Sequence, residues 1–348
     1  MAAKRKTVAK AATKSGRQNT GAKTAGAKTA VVKTAVVGAT ARQAAKAAPK
    51  AAAILKRAAR ARIGVIGGSG LYAMEGLTAT RWRKVATPWG DPSDELLFGK
   101  LGDQELVFLP RHGRGHRVPP SDINYRANID ALKRAGCVDV ISVSACGSLK
   151  EEHAPGKFVL VDQFIDRTFA RVKSFFGPGV VAHVSMAHPV CLRLRDKLAE
   201  AASTAGIEHS VGGTYLVMEG PQFSSLAESR LYRSWGCDVI GMTNMPEAKL
   251  AREAELCYTT VSMVTDYDCW HPDHDHVDVA SVIKVVHDNA HNAQNLIKAV
   301  APLLAERPET CPQGCDHALD NAIMTAPAVR DRKLVKKLDA VAGRVLKG

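Results

Sequence analysis

Short runs of β-branched residues alternate with amphipathic segments from Arg62 to about Pro302. A chain written that way has few folds open to it, because the runs must pair as a sheet buried between helices. The spacing predicts strands over 63–66, 106–109, 138–144, 158–161, 215–218, 239–242 and 258–264. Between them, SDINYRANIDALKRAG reads as a helix capped by Ser121, with Ile123, Ala127, Ala131, Leu132 and Ala135 on one face and Gly136 to stop it. SSLAESRLYRSWG pairs Ser225 with Glu228 as a capping box and ends at Gly236, while PEAKLAREAEL opens on Pro246, a first-turn residue. The last long helix is marked by Val279, Val282, Ile283, Val286, Ala290, Ala293, Ile297 and Val300, recurring every three or four residues. These elements predict an α/β domain over residues 62–305, followed by an extension, 306–348, with no clear mode of docking.

The net charge of +14 resembles a nucleic-acid binder until it is located. Residues 1–62 hold 16 Lys and Arg and no acid, which leaves 32 basic and 34 acidic residues elsewhere, a balance of −2. The basicity belongs to a tail, residues 1–61, that repeats AKTA around Lys23 and Lys28 and carries no aromatic side chain. With little apolar surface to offset the entropy of ordering, the tail is expected to be disordered. Contact with nucleic acid by counterion release is the reading its charge supports. A misassigned start and an acid-poor targeting peptide fit the same composition.

Eight cysteines occur, at 137, 146, 191, 237, 257, 269, 311 and 315, most of them single within apolar or helical segments. That scatter predicts a reduced, cytoplasmic protein rather than a disulfide scaffold. CPQGC, 311–315, lacks the spacing of a zinc knuckle and has no second pair nearby, so no metal is expected there. No apolar run approaches the roughly 20 residues a membrane span requires.

The chemistry gathers at strand ends, where open α/β sheets hold ligands. VIGGSG, 65–70, is a glycine turn containing Ser69. LPRHGRGH places Arg111, His112, Arg114 and His116 after another strand, and a guanidinium fork matches phosphate oxygens. SVSACGS ends a third strand with Ser144, Cys146 and Ser148; with no base in evidence, Cys146 reads as a small apolar filler. Thr243 stands at the amino end of the Pro246 helix, a place that favours an anion. VSMVTDYDCWHP delivers Asp266 and Asp268 to one side, provided the strand persists to the second acid.

IGGSGL, RHGRGH, NYRANI, ACGSL, DQFIDRT, EGPQFSS, AESR and TDYDCW, in this order, resemble the purine nucleoside phosphorylase family over about residues 62–304. The branch most similar acts on S-methyl-5′-thioadenosine. The resemblance implies a twisted mixed central β-sheet flanked by helices, phosphorolysis of that nucleoside to adenine and S-methyl-5-thio-α-D-ribose 1-phosphate, and a homotrimer. It implies no metal or organic cofactor, inorganic phosphate being a co-substrate. Phosphate is expected on Ser69, Arg111, His112, Ser144, the Ala145 N–H and Thr243. Met242 is expected against the ribose, Phe223 and Ser224 around sugar and base, and Asp266 and Asp268 on the purine. Val279, Val282 and Ile283 are expected to line an apolar 5′ pocket, with His183 supplied by a neighbouring subunit. A protonated Asp266 would donate to purine N7 as the glycosidic bond breaks. Related enzymes that prefer 6-oxopurines usually carry asparagine at that position, so the acid points to adenine.

Gly241 departs from the asparagine of the animal enzymes, and Ser144 replaces a threonine. The first change leaves a methylthioinosine or 6-oxopurine nucleoside phosphorylase as the nearest alternative. A metal-dependent hydrolase built on His271, Asp273, His274, Asp275, His276 and Asp278 is a rival from another class, although the spacing is not that of a zinc helix.

Overall fold

The computed structural model describes residues 61–272 and 279–347. The basic segment 1–60 and residues 273–278, with the readings placed on them, lie outside the described residues, as do the side chains of 69, 279–282 and 284. The tail's nucleic-acid reading and most of the His271–Asp278 cluster therefore have no structural counterpart.

Among the described residues, eleven strands form one mixed sheet. Its parallel centre runs β4 (Gln104–Pro110), β1 (Arg62–Gly67), β5 (Cys137–Ser148), β11 (Cys257–Asp266). β3 (Leu96–Leu101) and β2 (Leu77–Arg83) extend the β4 edge antiparallel. Past Ser142 the chain of β5 leaves β1, and its end pairs antiparallel with β10 (Val239–Gly241), which continues into β9 (Thr214–Val217) and β7 (Gln163–Asp166). β6 (Phe158–Leu160) and β8 (His209–Val211) attach beside β11. The sheet thus forks around β5, which pairs with β1, β11 and β10 in turn.

Period-two alternation divides the core between the two faces. Ile63, Val65, Phe108, Ile141 and Val261 pack with Leu194 and Leu198 of α2 (Leu192–Thr204) and with Leu296, Ile297 and Val300 of α5 (Val279–Leu303). Ile66, Val107, Leu109 and Val140 pack with Ile129 and Leu132 of α1 (Tyr125–Arg134) and with Leu250 and Ala251 of α4 (Asn244–Glu253). α3 (Leu226–Ser234) has the expected capping box of Ser225 and Glu228. Gly136 and Gly236, both at positive φ, close the helices they were expected to close.

Two expectations change. The cap of α1 is Asn124, whose side chain accepts from the Ala127 N–H, because Ser121 is taken up in a separate turn and donates to Glu219. The continuous helical part of α4 opens at Pro246, as expected, Met245 being extended as a residue before proline favours. The strands β2, β3, β7 and β8 were not expected: β2 is mostly exposed, β7 and β8 are only three or four residues long, and β3 was missed although Leu96, Leu97 and Phe98 are apolar and buried.

The extension does dock. Ile323 bridges Ala182, and α6 (Arg332–Lys337) and α7 (Gly343–Leu346) frame Leu338, Val341 and Ala342, all buried against the α1 and α4 face. Arg344 pairs with Glu255 and Asp320 to hold that end.

Candidate active site

The four parallel strands end on one side of the sheet, so the loops after Gly67, Pro110, Ser148 and Asp266 share one rim. The Arg111 N–H donates to the Gly67 carbonyl at 3.1 Å, joining the loop after β4 to the glycine turn that carries Ser69. Arg111 itself is buried, and its guanidinium faces inward. It forms a two-pronged pair with Glu247 of α4 at 3.0 and 3.3 Å and donates to the Ser142 hydroxyl at 2.5 Å and the Val143 carbonyl at 3.0 Å. Those bonds use four of its five N–H groups, leaving one Nη1 hydrogen for a ligand.

His112 Nδ1 lies 2.8 Å from the Val118 carbonyl, which only accepts, so the proton of the neutral ring sits on Nδ1 and Nε2 is left as an acceptor. Burial pushes this histidine down to about 4, with Arg111 and His116 adding to the effect. A neutral His112 matches the P–OH of a hydrogen phosphate, its Nε2 accepting. His116 stacks on it at 4.2 Å, whereas Arg114 turns away to Asp94 and Glu95.

Ser144, on the segment of β5 beyond its pairing with β1, reaches Asn244 Oδ1 at 3.2 Å. Asn244 in turn donates to Ser142, Tyr258 and Thr260, so one buried amide aligns β5, β11 and the start of α4. Thr243 precedes it, buried and without a capping bond from its hydroxyl. Ala145 is exposed within an otherwise buried strand.

Three residues along β5 from Ser144, about 10 Å at strand rise, Gly147 meets Asp266. A β-carbon on Gly147 would stand 2.8 Å from Asp266 Oδ1, so only glycine lets the acid lie over the strand. Asp266 accepts from the Thr265 hydroxyl at 2.6 Å and from the Asp268 N–H at 2.8 Å. Burial pushes its carboxyl up to about 6; these two bonds oppose the rise and Asp268 reinforces it. The strand stops at Asp266, and Asp268 has φ +51°, so the two acids are brought together by a turn and not by strand alternation. Asp268 is also buried, which raises its carboxyl, partly offset by the hydroxyls of Ser229 and Ser224. Burial, reinforced by Asp266, likewise holds the Cys146 thiol protonated, in keeping with a filler.

Met242 packs over Gly220, where a β-carbon would stand 2.5 Å from its sulfur. Phe223 is exposed, and Ser224 lies beside Met218 at 3.7 Å. Ile283 is exposed, while the side chains of Val279 and Val282 lie outside those described. His183 is exposed on a strand-like segment whose N–H donates to the Ala322 carbonyl at 2.9 Å. His271 contacts Glu151 at 3.1 Å. A β-carbon at Gly241 would meet the Tyr215 hydroxyl at 1.9 Å, so the tyrosine occupies the space an asparagine side chain would need.

The sequence did not reveal Glu247, Asn244 or the pair of Arg171 and Glu219. Arg171 is buried and donates to Glu219 and to the carbonyls of Met242 and Met245, tying EGPQFSS to the start of α4. Although burial pushes the Glu219 carboxyl up, the Ser121 hydroxyl, the N–H groups of Phe169 and Ala170 and the Arg171 charge hold it at about 2. EGPQFSS had flagged Glu219, but its partner lies in another loop.

Hydroxyl groups at one point of a central strand and a buried, raised carboxyl three residues on share the strand-end rim where open α/β sheets hold ligands. Residues 62–302 match the phosphorylase superfamily model, and the chain belongs to this family. Relatives named S-methyl-5′-thioadenosine phosphorylase include that of Cereibacter sphaeroides, 64% identical over 82% of this chain and 99% of its own, and that of Rhodospirillum rubrum, 62% identical over 82% and 97%. A solved methylthioadenosine phosphorylase from an Antarctic soil metagenomic library superposes with a TM-score of 0.77 at 47% identity, covering 81% of this chain and 98% of that one. The Schistosoma mansoni methylthioadenosine phosphorylase, in complex with adenine, gives 0.70 at 34% identity, covering 78% and 99%. Coverage of 82% is more than residues 62–305 contain, so the similarity runs past the limits its motifs set.

Replacing Glu247 by glutamine leaves the Arg111 guanidinium buried without its counter-charge. Unfolding in urea should show a loss of about 3–5 kcal/mol, and a variant within 1 kcal/mol of the parent, roughly the worth of an exposed pair, would remove the pair from its central place.

Proposed function

We infer that this chain catalyses the phosphorolysis of S-methyl-5′-thioadenosine, giving adenine and S-methyl-5-thio-α-D-ribose 1-phosphate. The observation that carries the reading is β5, which presents Ser144 beside the start of α4 and, at Gly147, the carboxyl of Asp266. Phosphate held by Ser144, Thr243, the Ala145 N–H, Ser69, His112 and the remaining Arg111 hydrogen lies under the sugar. The purine reaches Asp266 and Asp268, with Met242 against the ribose and Phe223 and Ser224 at its border.

As the bond from C1′ to the base breaks, its electron pair moves onto the purine and Asp266 gives its proton to N7. Phosphate then captures the oxocarbenium-like sugar from the opposite face, and its negative charge stabilises that cation before the bond forms. Asp268 accepts from the 6-amino group. The methylthio group sits against the Val279, Val282 and Ile283 face, where a hydroxyl would lose its hydrogen bonds. The family-matched residues supply every one of these roles without a metal or organic cofactor.

Adenine release should be rapid from S-methyl-5′-thioadenosine, require phosphate, and exceed release of hypoxanthine from methylthioinosine. Asp266→Asn should lower kcat/KM for the adenine nucleoside by about 10²–10⁴, the usual worth of general acid catalysis, and narrow that preference. The same group links stability to pH. Its carboxyl rises from 3.8 to about 6 on folding, so below 3.8 it costs nothing and stability is lost as pH climbs through 6. Asp266→Asn should remove that decline; an unaltered profile would mean the acid is not buried.

The subunits assemble as a trimer in which a neighbouring copy brings His183 to the 5′ end. The exposed His183 and the exposed apolar side chains of Phe169, Val172, Phe223 and Ile283 support this reading. Sedimentation should give the mass of three chains, and a monomer with full activity would overturn it. The protein works in the cytoplasm, in keeping with its free cysteines; among the described residues no helix is long and apolar enough to cross a membrane. Residues 1–61 bind nucleic acid through their charge. DNA binding at low salt should vanish when they are removed while nucleoside turnover stays the same, and a full-length chain that ignores DNA ends the idea.

A further inference from the structure

Three distant parts of the chain bring four cysteines to one buried point. Cys191 is the residue before α2, Cys257 opens β11, and Cys311 and Cys315 belong to the extension after α5. All four are buried, and their sulfurs lie within 4.8 Å of one another, Cys191 and Cys311 being 3.7 Å apart. An ion with sulfur ligands at about 2.3 Å in a tetrahedron sets those sulfurs about 3.8 Å apart. The cluster therefore needs adjustments of an ångström or less to close on one ion.

The backbone around it is already shaped for that. The Cys191 N–H donates to the Tyr258 carbonyl at 2.8 Å, which locks the first sulfur beside the second. The Gly314 N–H donates to the Cys311 carbonyl at 2.8 Å with Gly314 at φ +64°, so CPQGC folds back and turns both its sulfurs to the same side. Asp316 accepts from the Cys311 N–H at 3.0 Å and fixes the turn.

The surroundings favour thiolates over thiols. Arg307 Nη2 points to the Cys257 sulfur and Arg252 Nη1 to the Cys315 sulfur, each at 3.4 Å. N–H groups aimed at ligand sulfurs are the outer contacts that stabilise a metal thiolate. Asp139 and Asp316 sit behind Arg307, at 3.6 and 3.9 Å, and balance part of its charge.

We propose that Cys191, Cys257, Cys311 and Cys315 bind a single structural zinc ion that fastens the 306–348 extension to the catalytic body. Four soft thiolates in a closed tetrahedral set select zinc, and with no ligand position left open the ion takes no part in turnover. Binding displaces the four thiol protons to solvent. The extension supplies two of the ligands, and α2 and β11 supply the second pair that the linear spacing of CPQGC lacks. β11 runs from Cys257 at this ion to Asp266 at the active site, so the site also anchors the strand that carries the acid.

The test uses the full chain purified under reducing conditions. Elemental analysis should find one zinc per chain. After chelation under reductant, titration with Co²⁺ alone should produce sulfur-to-cobalt charge transfer and the intense visible bands of tetrahedral cobalt, saturating at one equivalent. The Cys311→Ser, Cys315→Ser double variant should lose both signals and expose the extension to protease, while Cys237→Ser should retain both. Stoichiometric iron in place of zinc would overturn the assignment of the ion. A chain that stays metal-free in excess Zn²⁺, a cobalt spectrum that survives the double variant, or mass spectrometry showing these sulfurs as two disulfides would overturn the site.

Discussion

The buried pair of Arg111 and Glu247 is the contact around which the catalytic rim is arranged. It joins the loop after β4 to α4 across the sheet, and its two charges are met by each other, with Ser142 and Val143 accepting from the arginine and Tyr258 donating to the glutamate. A buried pair gains little over apolar packing, but breaking it leaves a bare charge. The pair therefore acts as a constraint on position. It sets where α4 starts, hence where Thr243 and Asn244 stand, and Asn244 then holds Ser144.

Arg171 does the same for the other wall. Its bonds to Glu219 and to the carbonyls of Met242 and Met245 hold the EGPQFSS loop against the segment that packs on Gly220. Two buried arginines thus place the loops from both sides of the forked sheet. The requirement for Gly147 beneath Asp266, and the filling of the space over Gly241 by Tyr215, are steric terms in the same arrangement.

Much of this was legible in one dimension. Strand ends at Ile66, Leu109, Ser144 and Val264 stood out because parallel strands buried on both faces are written as continuous apolar runs, and the residues after them carry the site. The edge strands were not legible, since β2 and β7 are held by backbone pairing and leave no apolar signature. Nor was the helix cap: Ser121 and Asn124 are both competent, and only the position of Glu219 removes Ser121 from the contest. The two aspartates were expected to converge by alternation and do so through a turn, because the strand ends at Asp266, two residues short of Asp268.

The sequence by itself determined the α/β alternation, the stops at Gly136 and Gly236, the capping box of α3, and the set of residues available for phosphate and base. Those are local properties, written in periodicity, turn residues and motif order. Only the tertiary structure decided which of them meet: that Arg111 turns two of its donors to Glu247, that Asp266 is dry enough to keep its proton to about pH 6, and that four scattered cysteines share one point. Burial and pairing depend on what distant segments bring to the same place, and no spacing along the chain encodes that distance.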